Sequence, residues 1–186
     1  MARTPSNMVP LGFKAPDFNL YDVISGKNRS IDDLSGEKGT VIMFICNHCP
    51  FVIHIQEELV KIANDYIDKG IGFVAINSND IENYLDDHPD KMKEVASAFN
   101  YPFPYLFDES QSVAKAYDAA CTPDFYLFDA YLTCIYRGQL DDSRPQTDIP
   151  VNGKDLRMAL DSLLKSKPVN VNQKPSLGCN IKWKVK

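Results

Sequence analysis

The chain of 186 residues is 44% hydrophobic and 24% charged, which is typical of one globular domain with a substantial core. Its formal net charge of −5 argues against a surface that binds nucleic acid or an anionic membrane. Met1 to Ala15 contain no apolar segment of the kind found in signal peptides, and no apolar run reaches the roughly 20 residues of a membrane span. We therefore expect a cytoplasmic protein with no nucleic-acid or membrane partner.

The beginning of the chain predicts an arm, a hairpin and a buried strand. Residues 1–10 are expected to be a flexible arm. Alternation that ends at Leu20, a turn at 25–28 and a return strand at 29–31 predict a β-hairpin. The uncharged run Thr40 to Ile45 is rich in β-branched and aromatic residues, which predicts a central strand covered on both faces.

A helical pattern replaces the strand pattern after this run. Its apolar stripe consists of Phe51, Val52, Ile55, Leu59, Ile62, Ala63, Tyr66 and Ile67. Lys69-Gly70 ends the helix, and Pro50 suits its first position, which makes Cys49 the N-cap. A second buried strand at 71–77 completes a β–α–β unit, for which a parallel strand pair and a right-handed crossover are expected.

The second half of the chain continues the α/β alternation. The pattern predicts a helix at 92–99, a strand at 105–107, a helix at 110–117, a hairpin at 124–136 and a last helix at 156–164. The main domain is therefore expected to cover residues 11–166. Residues 167–186 are predicted to form a C-terminal tail that packs on this domain.

Cys46, His48 and Cys49 are the candidate catalytic residues. A thiolate rather than a thiol is the nucleophile, and a helix N-terminus or a neighbouring cation lowers the pKa of a cysteine. His48 could supply that cation or donate a hydrogen bond. The Cys-x-x-Cys spacing favours a redox-active dithiol, and a metal site or two inert buried thiols are the alternatives.

Several motifs together resemble one known family. Gly12-x-x-Ala15-Pro16-Asp17-Phe18-x-Leu20 is similar to the start of the alkyl hydroperoxide reductase/thiol-specific antioxidant superfamily. The other matching motifs are Phe44-x-Cys46-Asn47-His48-Cys49-Pro50, Asn77-Ser78-Asn79-Asp80, Pro104-Tyr105-Leu106, Thr122-Pro123-Asp124-Phe125, Tyr136-Arg137-Gly138-x-Leu140-Asp141-Asp142-Ser143-Arg144-Pro145 and Gly178-Cys179-Asn180-Ile181-Lys182-Trp183. With this set the chain resembles the peroxiredoxin-like thioredoxin-family proteins of bacteria. The resemblance implies an α/β thioredoxin-like fold, with a central mixed sheet flanked by helices and an N-terminal β-hairpin extension.

The resemblance also implies a function and a substrate site. It predicts a thiol–disulfide oxidoreductase of cytosolic redox homeostasis, which acts on protein or low-molecular-weight disulfides and needs no cofactor. Electrons would come from a thioredoxin- or glutathione-type donor. Pro123 would be a cis-proline that faces the cysteines, and Thr122 and Pro123 would present backbone groups to a bound substrate.

Two alignments with the thioredoxin motif assign the cysteines differently. One makes Cys46 the attacking thiol, and the other makes Cys49 the attacking thiol. The position of Pro50 favours Cys49, with Cys46 as its disulfide partner in either case. Cys179 in the tail is a candidate resolving thiol, and Cys121, next to the proposed cis-proline, is a candidate accessory thiol.

Other activities are weighed against this one. A soft-metal site for Cu(I) or Zn²⁺ would draw on Cys46, His48, Cys49 and His54, and a redox-sensing module without turnover is a related alternative. Peroxidase activity is doubtful. Peroxiredoxins need a Thr or Ser three residues before the attacking cysteine and a Pro seven before it, and Cys46 and Ile42 stand there before Cys49.

Overall fold

The computed structural model describes residues 3–185. Its strands are β1 (Arg3–Pro5), β2 (Asn19–Asp22), β3 (Lys27–Ser30), β4 (Gly39–Phe44), β5 (Ile71–Asn77), β6 (Tyr105–Phe107), β7 (Cys121–Thr122), β8 (Asp124–Asp129), β9 (Cys134–Gly138) and β10 (Leu177–Asn180). Its α-helices are α1 (Ile31–Leu34), α2 (Pro50–Tyr66), α3 (Pro89–Ala98), α4 (Ser112–Ala116) and α5 (Lys154–Leu164). Within the described range, none of these helices has the length and apolar character needed to cross a membrane.

The larger sheet has seven strands in the order β3-β2-β6-β5-β4-β8-β9. Strand β5 runs parallel to β4 and to β6, whereas β8 is antiparallel to β4. The β2–β3 hairpin extends the sheet beyond β6. The predicted mixed sheet with an N-terminal hairpin extension is therefore confirmed.

Strand β4 lies at the centre and is buried along its whole length. Val41 and Met43 point into the core that contains the buried residues of α2, α3 and α5. Ile42 and Phe44 point into the opposite core, which contains those of α1 and α4. This burial on both faces explains why the strand has a continuous apolar sequence.

Helix α2 follows the predicted stripe. It begins at Pro50 and continues through Tyr66 into a 3-10 turn, Ile67–Lys69. Gly70 ends it with a φ of 89°, in the left-handed region that glycine adopts most readily. The side chains that face the sheet are fully or almost fully buried, among them Ile55, Leu59 and Ile62. The helix N-terminus is thereby fixed at the carboxyl end of β4.

A second, three-stranded sheet has the order β1-β10-β7. Residues 1–10 were predicted to be a flexible arm, but Arg3–Pro5 form β1 and pair with the C-terminal strand β10. Ser6 continues this contact, since its N–H donates to the carbonyl of Ser176 at 2.9 Å. A three-residue strand has no periodicity of its own, and its partner lies at the other end of the chain.

The return strand of the hairpin begins two residues earlier than predicted, at Lys27, and ends one residue earlier. Strand β3 ends at Ser30, and Ile31 begins helix α1. The Ser30 hydroxyl accepts from the N–H of Asp33, and the Asp33 carboxylate accepts from the N–H of Ser30. This reciprocal cap turns the chain into a helix one residue before the predicted end of the strand.

Candidate active site

Cys49 occupies the N-cap of α2, with Pro50 at the first helical position, as predicted. Its backbone carbonyl accepts from the N–H groups of Val52 and Ile53, at 2.9 and 3.0 Å. Cys46 lies three residues earlier, just beyond the end of β4. The strand-to-helix connection therefore places both thiols at the positive end of the helix dipole.

The connection from β7 to β8 faces these sulfurs. The Thr122–Pro123 peptide bond is cis, which agrees with the prediction. The Thr122 hydroxyl lies 3.2 Å from Cys46 Sγ, and its carbonyl oxygen lies 3.1 Å from Cys49 Sγ. A third sulfur, that of Cys179 on β10, lies 2.9 Å from Cys49 Sγ. All five cysteines of the chain are thiols, and three of them meet here.

The surroundings of Cys49 lower its pKa to about 5. The largest cause is a hydrogen bond from Cys46, and burial opposes it; Cys179 and the backbone N–H of Val52 add further hydrogen bonds. The hydrogen bond to Cys49, followed by burial, raises the pKa of Cys46, and burial raises that of Cys179 to about 12. Cys49 is therefore the thiolate at neutral pH, and its two neighbours remain thiols that donate to it. Protonated Cys49 can instead donate to the Thr122 carbonyl.

His48 was predicted to act as the cation or donor beside the thiolate, but its imidazole is turned to a different partner. His48 Nδ1 lies 2.7 Å from Asp87 Oδ2, and the ring stacks on Tyr84 with centroids 5.3 Å apart. The hydrogen bond to Asp87 raises the pKa of His48. The charge of Cys49 raises the pKa of His48 further. The hydrogen bonds that lower the pKa of Cys49 come from the neighbouring thiols and from backbone N–H groups.

Asp87 is a site residue that the sequence did not single out. The segment around it was expected to be a polar, acidic loop, yet Asp87 is completely buried. It accepts from the backbone N–H of Asn47 at 2.7 Å and from Asn79 Nδ2 at 2.8 Å. Burial alone would raise the pKa of Asp87, but these two hydrogen bonds and the one to His48 lower it. Asp87 thus fixes the loop between the two cysteines. No local signal could have revealed it, because the contact joins residues about 40 positions apart.

The remaining candidates are Cys121, which is close to this thiol cluster, and His54. Cys121 is buried and its Sγ contacts the carbonyl of Pro123 at 3.5 Å, and burial raises its pKa strongly. His54 lies on α2, and its buried Nε2 has no hydrogen-bond partner within residues 3–185. Both Cys121 and Cys179 were candidate accessory thiols. The charges of Cys49 and Cys179 raise the pKa of Cys121 further, but it is Cys179 whose sulfur contacts Cys49 Sγ.

The alternative metal set is not assembled as expected. Among residues 3–185, the potential ligand atoms that lie within 4.8 Å of one another belong to Cys46, His48 and Asp87. Cys49 and His54 are not members of this group: the Cys49 sulfur contacts Thr122 and Cys179 instead. In this structure His48 Nδ1 is already engaged by the Asp87 carboxylate.

Comparison with known proteins identifies the family. The model of the AhpC/TSA family matches residues 11–136, which is more than half of the chain. The chain belongs to the AhpC/TSA family. The resemblance seen in the sequence motifs is thereby confirmed, and the matched residues include the Cys46–Cys49 motif and the cis-proline.

Three similar proteins extend this result. The AhpC/TSA chain is 61% identical to an uncharacterized conserved protein from Geobacillus kaustophilus, over 100% of this chain and 98% of that one, with a TM-score of 0.98. It is 24% identical over 120 residues to the thiol-disulfide oxidoreductase ResA of Halalkalibacterium halodurans, which is 64% of this chain and 63% of that protein. The match thus spans less than two thirds of that relative. A structure described as the thiol:disulfide interchange protein DsbE of Chlorobium tepidum is 19% identical, covers 84% of this chain and 99% of its own, and has a TM-score of 0.63, which shows the thioredoxin-like fold.

Proposed function

We propose that this AhpC/TSA-family protein is a thiol–disulfide oxidoreductase in which Cys49 is the attacking sulfur and Cys46 the resolving one. The observation that carries the proposal is the position of Cys49 at the N-terminus of α2, where its sulfur faces the cis Thr122–Pro123 peptide; these surroundings lower its pKa to about 5. A thiol with an ordinary pKa near 8.5 is only a few per cent ionised at pH 7. Cys49 is almost fully ionised at that pH, and a thiol donor stands three residues away.

The reaction proceeds in two exchanges. The Cys49 thiolate attacks a substrate disulfide, forms a mixed disulfide and releases the first substrate sulfur as a thiolate. Cys46 then attacks Cys49 Sγ, which forms the Cys46–Cys49 disulfide and releases the second substrate sulfur with the proton that Cys46 loses. A dithiol or glutathione-type donor returns the two electrons. Protein or small-molecule disulfides are the proposed substrates, and Thr122 and Pro123 are the groups that face them.

The test is insulin-disulfide reduction by matched serine variants. Cys49→Ser is expected to abolish the activity. Cys46→Ser is expected to lose most of it and to accumulate a mixed disulfide that mass spectrometry detects. Cys134→Ser is the control, because Cys134 is buried on β9 and its Sγ contacts the carbonyl of Tyr136 rather than a site residue. Full activity in Cys49→Ser would overturn the assignment.

The same variants separate the competing functions. A metal-binding module would instead bind zinc or copper stoichiometrically in the wild type and lose it in Cys46→Ser. A peroxidase would consume hydrogen peroxide with a thiol donor. Against this last function, the side chains of Arg137 and Arg144 are engaged by Val9, Gln173 and the loop at 139–143, not by the thiols.

The cytoplasmic location stays a prediction, which cell fractionation of a tagged chain would check.

A further inference from the structure

Strand β10 occupies the backbone edge beside the dithiol. It pairs antiparallel with β7, the strand that leads into the cis-proline, and the register places Cys179 opposite Thr122 and Asn180 opposite Cys121. Extended peptides bind proteins by adding a strand to such an edge. Here the chain's own C-terminal segment fills it, and β1 covers the other side of β10.

The approach of β10 to β7 requires a glycine. A Cβ on Gly178 would overlap the carbonyl oxygen of Thr122, and the sulfur of Cys49 contacts the same oxygen. The next residue, Cys179, directs its sulfur to within 2.9 Å of Cys49 Sγ. Cys49 is completely buried and Cys179 is 2% exposed. Strand β10 therefore presents a cysteine to the candidate nucleophile as a bound disulfide substrate would, and excludes solvent from both sulfurs.

Backbone and side-chain contacts on both sides hold the strand in place. The Ser176 hydroxyl donates to the Pro123 carbonyl at 2.6 Å, before the strand. After it, the N–H of Ile181 donates to the Ala120 carbonyl at 3.2 Å, and the N–H of Lys182 donates to Asn79 Oδ1 at 2.8 Å. Two of the motifs recognised in the sequence, Asn77 to Asp80 and Gly178 to Trp183, thus meet at this anchor.

We propose that Cys179 is a third redox thiol of the site, which exchanges with the Cys46–Cys49 disulfide as an internal substrate. This inference rests on the proposed function. Cys179 attacks Cys49 Sγ; the Cys49–Cys179 bond forms, the Cys46–Cys49 bond breaks, and Cys46 leaves with the proton that Cys179 gives up. The exchange is an isomerisation of one disulfide, so no oxidant or reductant is consumed. In the Cys49–Cys179 form, β10 is covalently fixed over the site, and external disulfides reach Cys49 only when β10 is detached.

The decisive experiment removes Cys46 and asks where the disulfide goes. The protein is oxidised with diamide, and its disulfides are mapped by peptide mass spectrometry. Cys46→Ser is expected to lose two of its four remaining thiols and to yield a Cys49–Cys179 linkage. Adding Cys134→Ser should leave this result unchanged, whereas adding Cys179→Ser should abolish it.

The outcomes separate this inference from the proposed function. If wild type forms Cys46–Cys49 but Cys46→Ser forms no Cys49–Cys179 bond, or only an intermolecular one, the inference is overturned and the function stands. If neither disulfide forms in any variant, the proposed function itself fails. A Cys46–Cys49 disulfide in the wild type together with a Cys49–Cys179 disulfide in Cys46→Ser supports both.

A second measurement tests whether β10 shields the thiolate. Gly178→Ala is expected to displace the strand and to increase the rate of Cys49 alkylation by iodoacetamide about tenfold or more. Gly12→Ala is the control for an added methyl group: among residues 3–185 no atom lies within 4 Å of a Cβ built on Gly12, although its φ of 90° strains an alanine there. Equal alkylation rates in the two folded variants would show that β10 does not restrict access to Cys49.

Discussion

The hydrogen bond from Cys46 is the largest single cause of the lowered pKa of Cys49, and Cys46→Ala removes it. A hydrogen bond to a charged group contributes about 1.5–3 kcal/mol, and one pKa unit corresponds to about 1.4 kcal/mol. The pKa of Cys49 is therefore expected to rise by roughly one to two units, from about 5 to about 6–7. At pH 6 the thiolate fraction then falls roughly two- to tenfold.

The assay is a titration of the reduced protein followed by thiolate absorbance in the ultraviolet, from about pH 4 to 9. Cys134 does not interfere, because burial raises its pKa to about 12. Cys46→Ser is the matched control: it also prevents the Cys46–Cys49 disulfide but keeps an O–H donor, so its shift should be the smaller one. A wild type without a thiolate transition below about pH 8, or a Cys46→Ala variant with the wild-type midpoint, would refute the reasoning.

Three further predictions concern groups whose titration depends on folding. Because folding lowers the pKa of Cys49 from about 8.5 to about 5, its stabilising contribution is complete above about pH 8.5 and is lost as the pH falls toward 5. In urea unfolding of the reduced proteins, the free energy of unfolding of wild type relative to Cys49→Ser should increase as the pH rises through this window. A difference that does not change with pH would contradict the prediction. Burial raises the pKa of Asp124 to about 8, so its contribution to the free energy of unfolding is lost as the pH rises from about 4 to 8. Asp124→Asn should therefore become more stable relative to wild type over that range. An unfolding free-energy difference that is constant from pH 4 to 8 would contradict the raised pKa. Asp87→Asn should lower the pKa of His48, since the carboxylate is the main cause of its elevation; an unchanged imidazole titration by NMR would show that the pair does not form in solution.

Several features of this fold follow from local sequence alone. The apolar run at 40–45, which overlaps β4 except for its first residue, and the stripe of α2 are each long and regular. Pro50 marks the first position of the helix that Cys49 caps. Strand β5 was predicted with its observed bounds, 71–77. These elements are determined by side-chain periodicity and by the missing N–H of proline, which act within a few neighbouring residues.

The family motifs extended the prediction to contacts that periodicity does not give. They indicated a cis bond before Pro123. They did not indicate how the segments meet. The pairing of Arg3–Pro5 with β10 was missed, because such a short strand acquires its conformation only from its partner.

The chemistry of the site depends on the same long-range contacts. The sulfurs of Cys49 and Cys179 belong to residues 130 positions apart, and Asp87 reaches His48 across 39 positions. By itself the sequence determined that a cysteine would cap the helix beside a second thiol. Only the tertiary structure decided which groups hydrogen-bond to that cysteine, because the final pKa depends on burial and on donors brought from distant parts of the chain.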